Sequence, residues 1–151
     1  MFRGVHNLSL DGKGRMAIPS RYRERLHDEC GGRMVLTINP DEPCLWLYPL
    51  NEWEPIEAQL TQLPRSDRFG QQLKRRLMRY ASDCQLDGSG RILLPPMLRE
   101  FGELEKSMVL FGVSNKFEIW SEAHWLESEA VMEQGEIDES QATEASLKLV
   151  L

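Results

Sequence analysis

Two stretches of this chain set a cation beside a carboxylate on a glycine-rich turn: Asp11-Gly12-Lys13-Gly14-Arg15 and Asp87-Gly88-Ser89-Gly90-Arg91. Glycines here supply the positive φ of a tight turn, and the aspartate can accept bonds from nearby backbone N–H groups. Such a turn lifts Lys13 and Arg15 away from a sheet, where a cation can reach a phosphate or the O6/N7 edge of guanine in a major groove. Arginine carries the planar fork that reads a base, so Arg15 is the first candidate for base contact and Lys13 for phosphate contact. Ser89 stands where the first stretch has Lys13, which makes the second turn the weaker contact even though Arg91 is kept. The same residues also have a structural reading, in which Asp11 caps its turn and pairs with Arg15, and Asp87 with Arg91. An exposed pair of that kind contributes only about 0–1 kcal/mol.

Both stretches belong to a longer internal repeat. Leu10-Asp11-Gly12-Lys13-Gly14-Arg15-Met16-Ala17-Ile18-Pro19 aligns without a gap on Leu86-Asp87-Gly88-Ser89-Gly90-Arg91-Ile92-Leu93-Leu94-Pro95. Arg23-Glu24 then falls on Arg99-Glu100, and Met34-Val35-Leu36 returns as Met108-Val109-Leu110. Tyr48 with Trp53 corresponds to Trp120 with Trp125 once a short loop difference is allowed. A unit this short cannot bury its own apolar face, so the two copies are expected to pack together.

The elements that must hold these turns can be read locally. In the first copy His6 to Leu10 and Arg15 to Ile18 read as strands around the turn, Pro19 stops the ladder, and Ser20 to Leu26 makes a short helix ended before Gly31-Gly32. Met34 to Ile38 and Cys44 to Tyr48 form a strand pair across Asn39-Pro40-Asp41-Glu42-Pro43. The second copy repeats the order, with strands Ser82–Leu86, Arg91–Leu94, Ser107–Val113 and Phe117–Trp120 and a helix beginning near Pro96. Two helices join the copies: Trp53, Ile56, Leu60 and Leu63 lie at helical spacing, and Phe69, Leu73, Leu77 and Tyr80 line one face of the next, with Arg68, Arg75 and Arg79 on the other. The fold class is therefore mainly β with short α-helices (α+β). Residues 5–52 read as the first module, 53–80 as a helical connector, 81–124 as the second module, and 125–151 as a C-terminal helix with an acidic, disordered tail. The four tryptophans fall on strands and helix starts, where core packing explains them better than base stacking.

The formal net charge of −6 argues on its face against nucleic acid, but the charge is unevenly placed. Residues 1–33 carry seven Lys/Arg against four Asp/Glu, and residues 65–79 six against one, whereas from Glu118 onward nine acids face only Lys148. A basic body with an acidic tail suits nucleic-acid binding, although charged helix faces are also ordinary solvated surface. Arg3, Arg21 and Arg23 lie close enough in sequence to extend a basic face. The helix at 67–80 suits DNA or a neighbouring subunit equally. Enzyme signals are missing: there is no G-x-S-x-G, no third glycine for a dinucleotide site and no phosphate-binding loop, and His27 with Cys30 has no second close pair for zinc. No cofactor, metal or small-molecule substrate is implied. With no apolar run of roughly 20 residues and no export signal at the N-terminus, a membrane role is not expected, and a cytoplasmic location is. Cys30, Cys44 and Cys84 are odd in number and scattered, which suits reduced thiols.

The motif Asp-x-x-x-Arg, then an apolar strand and Pro, at Asp11–Pro19 and again at Asp87–Pro95, resembles the swapped-hairpin modules of the AbrB and SpoVT type. Two such copies in a chain of this size opening Met1-Phe2-Arg3-Gly4 resemble the MraZ family over nearly the whole chain up to the tail. The resemblance implies a pseudo-two-fold pair of half-modules forming a double-psi-like small barrel, and a cytoplasmic, nucleoid-associated regulator. It implies binding to direct repeats in the double-stranded promoter of the division and cell-wall gene cluster, generally as a repressor, and assembly of a homo-oligomeric ring. It also makes Arg23 a basic position shared with AbrB-like modules. The site set is thus Arg15 and Lys13 first, then Arg3, Arg91, Arg21 and Arg23. The competing class is a structural or partner-binding protein of the same fold whose acidic tail engages a basic partner. An antitoxin-like role, with a C-terminal segment on a toxin, normally goes with one module copy.

Overall fold

The structure, a computed structural model, describes residues 1–135 and 137–151. The chain runs β1 (Phe2–Ser9), β2 (Arg15–Ala17), α1 (Ser20–Cys30), β3 (Arg33–Ile38), β4 (Leu45–Pro49) and α2 (Leu50–Thr61). After α3 (Arg68–Tyr80) the same order returns as β5 (Ser82–Gln85), β6 (Arg91–Leu93), α4 (Pro96–Phe101), β7 (Ser107–Ser114), β8 (Lys116–Ser121) and α5 (Glu122–Gln134). A 3₁₀ turn at Glu139–Gln141 and the short helix α6 (Glu144–Leu147) follow. The mixed α+β class dominated by strands is as the sequence indicated.

Six strands form one antiparallel sheet in the order β1-β7-β8-β4-β3-β5, and β2 with β6 forms a separate ribbon. The order reads the same from either edge when each strand is exchanged for its repeat counterpart. β1 of the first copy pairs with β7 of the second, from Phe2↔Ser114 to Ser9↔Ser107. β5 of the second pairs with β3 of the first, from Arg33↔Gln85 to Leu36↔Ser82. β4 and β8 meet at the centre. Each copy thus lays its first strand on the other copy's third, and neither has a sheet of its own.

The glycine turns make that exchange possible. Asp11 N–H donates to Arg15 O at 2.9 Å and Gly14 N–H to Asp11 O at 3.1 Å, so the turn closes on itself and sends β2 away from β1 instead of back along it. Gly14 takes φ 81° and Gly90 φ 72°, backbone that side chains with a Cβ resist. This corner also overturns the expected closed barrel. β1 and β5 remain as two free sheet edges, because the turns divert the chain into the ribbon before either strand can pair with β2 or β6. β1 begins at Phe2, four residues before the expected His6, since Phe2 is buried against Phe117 with ring centroids 4.2 Å apart.

The core fills the space between the sheet and the ribbon. Met16, Ile18, Ile92 and Leu94 meet Leu36, Leu47, Leu110 and Ile119, all buried, and each contributes roughly 1.5–3 kcal/mol. On the sheet's opposite face Val35, Tyr48 and Trp53 form one small cluster under α2, and Val109, Trp120 and Cys44 another beside Trp125 on α5. Asp67 caps α3 by accepting from Gly70 N–H at 2.9 Å. Of the apolar face expected on α3, Leu77 is buried and Leu73 and Tyr80 are half-buried, whereas Phe69 points outward. The cysteines are unpaired, and burial pushes the Cys84 thiol up to about 12.

Candidate nucleic-acid interface

The β2–β6 ribbon pairs Arg15 with Leu93, Met16 with Ile92 and Ala17 with Arg91. Side chains alternate on a strand, so Met16 and Ile92 point into the core while Arg15, Ala17, Arg91 and Leu93 share the outer face. Ile18 N–H donates to Gly90 O at 2.9 Å and Leu94 N–H to Gly14 O at 2.8 Å, which ties each end of the ribbon to the other copy's turn. Lys13 and Ser89 stand exposed on those two turns.

The turns are built as expected: Asp11 Oδ1 accepts from Lys13 N–H at 2.8 Å and Arg15 N–H at 2.9 Å, and Asp87 Oδ1 from Ser89 N–H at 2.8 Å and Arg91 N–H at 3.0 Å. The backbone N–H of Arg15 chiefly, then that of Lys13 and the arginine charges, holds the Asp11 carboxyl below the usual 3.8. Asp87 is lowered in the same way, first by the backbone N–H of Arg91. Both carboxylates are therefore ionised at neutral pH. The side-chain pairing is the expected one for Asp11 with Arg15 and differs for Asp87. Asp11 Oδ2 lies 3.5 Å from Arg15 Nε and 3.6 Å from Arg91 Nη1, while Asp87 Oδ2 is 4.0 Å from Arg15 Nη1. Among the described residues Asp87 and Arg91 form no side-chain ion pair. The four groups make one cross-copy cluster of balanced charge. The Arg15 side chain is 32% exposed within it and that of Arg91 46%, so both retain donors that face solvent.

The other candidates separate. Arg23 donates from Nε to Ile18 O at 2.7 Å and lies where a Cβ on Gly90 would have to stand. Its repeat mate Arg99 does the same, donating to Leu94 O at 3.0 Å and lying against Gly14. Arg23 is thus a strut under the opposite turn, and Arg99 is a site-shaping residue the sequence reading passed over. The alignment of Arg23 on Arg99 was the available signal. Arg3 and Arg21 meet elsewhere: Arg21 Nη2 is 3.4 Å from Arg3 O, and its guanidinium lies 4.7 Å from the centroid of the Tyr22 ring. That is the end of β1 remote from the Lys13 turn, six strand steps or roughly 20 Å along it.

Two further facts bound the chemistry. Among the described residues no group of three or more His, Cys, Asp or Glu is placed to hold a metal ion, and no helix is long and apolar enough to cross a membrane.

An interleaved pair of swapped-hairpin modules, presenting a two-stranded ribbon with paired arginines, is the class of protein that the fold and the site define. Comparison with known sequences makes this specific. The sequence profile of the family described as "MraZ protein, putative antitoxin-like" matches twice, over residues 1–76 and 77–148. The chain is 52% identical over 151 residues, 99% of its own length and 100% of the relative's, to a transcriptional regulator MraZ of Thioalkalivibrio sulfidiphilus (strain HL-EbGR7). It is 50% identical over 149 residues, 99% of its length and 93% of the relative's, to a protein of the same name from Shewanella sp. (strain MR-7). The chain belongs to the MraZ family.

Proposed function

We propose that this chain is a sequence-specific DNA-binding transcriptional regulator, not an enzyme, whose β2–β6 ribbon enters the major groove. The observation that carries the reading is the outer face of the ribbon, where Arg15 and Arg91 lie on two antiparallel strands with Lys13 on the adjoining turn. A two-stranded ribbon is one of the elements a major groove admits, and arginine bidentate to guanine is the commonest base-specific contact. Arg15 reads a base, Lys13 holds a phosphate, and the copy with Ser89 contributes the weaker contact. Arg3 and Arg21 form an outlying patch that meets the flanking backbone. Relatives named as transcriptional regulators support the reading. Carrying over what the family resemblance implies, the protein acts in the cytoplasm, on the nucleoid, as a repressor of the division and cell-wall cluster. It binds direct repeats as a ring, so that weak turn contacts add by avidity.

The test is binding of wild type, Arg15→Ala and Arg91→Ala to duplex from upstream of the protein's own gene, at several salt concentrations with competitor DNA. Specific binding by wild type that falls at least tenfold in Arg15→Ala, with fold and oligomeric state kept, is the expected result. Equal binding by all three would show that the charge cluster serves only the fold. Exposed apolar residues in the acidic tail, Ile137, Leu147 and Val150 among them, favour a second reading as a partner-binding protein. Removing residues 136–151 leaves DNA binding intact on the first reading and abolishes the partnership on the second.

A further inference from the structure

Because almost every element has a repeat counterpart, the structure shows where a counterpart's cover is missing. α2 and α5 correspond: with Trp53 aligned on Trp125, Leu60 late in α2 aligns on Met132 late in α5. Both helices lie on the outer face of the sheet, α2 over β3 and β4 and α5 over β7 and β8. α2 is then covered a second time by α3, and Leu60 is only 8% exposed. α3 joins the copies and occurs once. Among the described residues no helix makes comparable contact with α5, and Met132 is 76% exposed, with Val131 exposed beside it. Met132 lies seven residues from Trp125 and so continues the stripe by which that helix holds the sheet.

α3 has the matching surplus. It is fixed to its own chain through Leu77 and through Thr37 Oγ1, which donates to Leu77 O at 2.7 Å. Its flanks leave Phe69 77% exposed on one side and Met78 exposed on the other, half a turn away, with Arg75 and Arg79 on the arc beside Met78. The helix contains five Lys/Arg and no acid, while α5 contains four Glu and no Lys or Arg. Apolar groups are therefore uncovered on two helices of opposite charge.

We infer that the outer side of α3 in one copy docks on α5 of a second copy, supplying from the neighbour the cover that α3 gives α2 within the chain. Met78 covers Met132, and Arg75 and Arg79 face Glu129 and Glu133. Burial of the apolar side chains holds the contact and the charges set its partner and direction. α3 lies over β3 and α5 over β7 and β8, so the contact joins unlike surfaces. A repeated contact between unlike surfaces closes into a ring or continues as a filament. This inference rests on the ring assembly proposed above and supplies its interface.

Sedimentation velocity on the full chain tests it. One variant carries Arg75→Glu and Arg79→Glu, which sets two acids of α3 against Glu129 and Glu133; another carries Glu129→Arg and Glu133→Arg, which sets two cations of α5 against Arg75 and Arg79. Each alone is expected to sediment as a monomer with wild-type circular dichroism, and an equimolar mixture to recover the wild-type assembly, since each variant's altered face fits the other's altered one. Recovery on mixing excludes misfolding as the cause of dissociation. Variants that stay assembled singly, or a mixture that stays monomeric, overturn this interface while leaving the ring and the DNA contact standing. A wild-type chain that is itself monomeric at tens of micromolar overturns the ring and the interface together, and the Arg15→Ala binding measurement then still decides the DNA reading.

Discussion

The two copies share a backbone plan and differ in what they leave uncovered. Copy one has Lys13 on its turn and a second helix, α3, against α2, where Leu60 is buried; copy two has Ser89 on its turn and an exposed Met132 on α5. Residues that hold the interleaved core are alike in kind in both, Met16 with Ile92, Ile18 with Leu94 and Arg23 with Arg99, because each must fit the other copy. Of the outward-facing residues, Arg15 is kept as Arg91, whereas Lys13 with Ser89 and Ala17 with Leu93 have diverged. The pseudo-two-fold therefore constrains the scaffold and leaves the surface of each copy free to take its own task.

The largest expected effect breaks the comparison at the second layer. Leu60→Ala should cost about 2–4 kcal/mol of stability, since Leu60 is only 8% exposed and truncation leaves a cavity. Met132→Ala should cost less than about 0.5 kcal/mol when measured in the Glu129→Arg, Glu133→Arg background that removes any neighbour. Denaturant titration of both decides. Equal costs would mean that α5 is covered within its own chain, and the asymmetry would be gone. Somewhat smaller is the effect of Arg23→Ala, which leaves Ile18 O without its charged donor and the space over Gly90 empty. A loss of about 1.5–3 kcal/mol of stability is expected, with the DNA affinity of the folded fraction unchanged. A reduced affinity with unchanged stability would mean that Arg23 contacts DNA.

Much of this was legible from residues 10–19 and 86–95 alone. The repeat fixed the element order, the turns and the alternation that buries Met16 and Ile92, because these depend on local chemistry and a period of two. Four features were not legible. Which strand pairs with which across the copies is a long-range choice, so the expected barrel gave way to a sheet with two free edges. Asp11 was read against the arginine four residues on, and no spacing rule reveals that Arg91 of the other copy comes equally near. Arg23 looked like one more surface cation, since a side chain that crosses beneath a distant glycine leaves no trace in its own neighbourhood. Phe69 fits the helical stripe of α3 by period and is nevertheless exposed, because the period says which residues share a face and not how far a neighbouring layer extends along it.

Exchanging the turn residues sharpens the comparison at the DNA surface. Lys13→Ser gives copy one the turn of copy two, and Ser89→Lys does the reverse. Each phosphate contact contributes close to one unit, about 0.9, to the slope of log affinity against log salt for every chain on the DNA. Lys13→Ser should lower that slope by about this amount per bound chain with little change in stability. Ser89→Lys should raise it if the second turn also reaches the backbone, and leave it unchanged if only copy one faces the duplex. Binding isotherms between roughly 50 and 200 mM salt resolve a difference of this size.

The smallest effect concerns the carboxylates that balance the arginines. Asp11 and Asp87 have lowered folded-state pKa values, first because backbone N–H groups bond the ionised form and then because of the arginine charges. A group depressed in this direction contributes stability above its unfolded value, near 3.8, and loses it as pH falls through the lower folded value. Wild type should therefore lose stability as the pH falls through 3.8 and below. Asn in place of Asp keeps an oxygen for the two backbone donors and removes the charge that faces the arginines. Asp11→Asn should be less stable than wild type at neutral pH and converge with it in acid. Asp87→Asn should do the same more weakly, because Asp11 touches both arginines and Asp87 only Arg15, at the longer distance. The same substitution leaves the ribbon with an unbalanced positive charge, so affinity for arbitrary duplex should rise while the preference for the specific site narrows. Identical acid limbs for the two variants would mean that the cluster does not distinguish the copies, and that the ion pairs contribute nothing beyond the turns they cap.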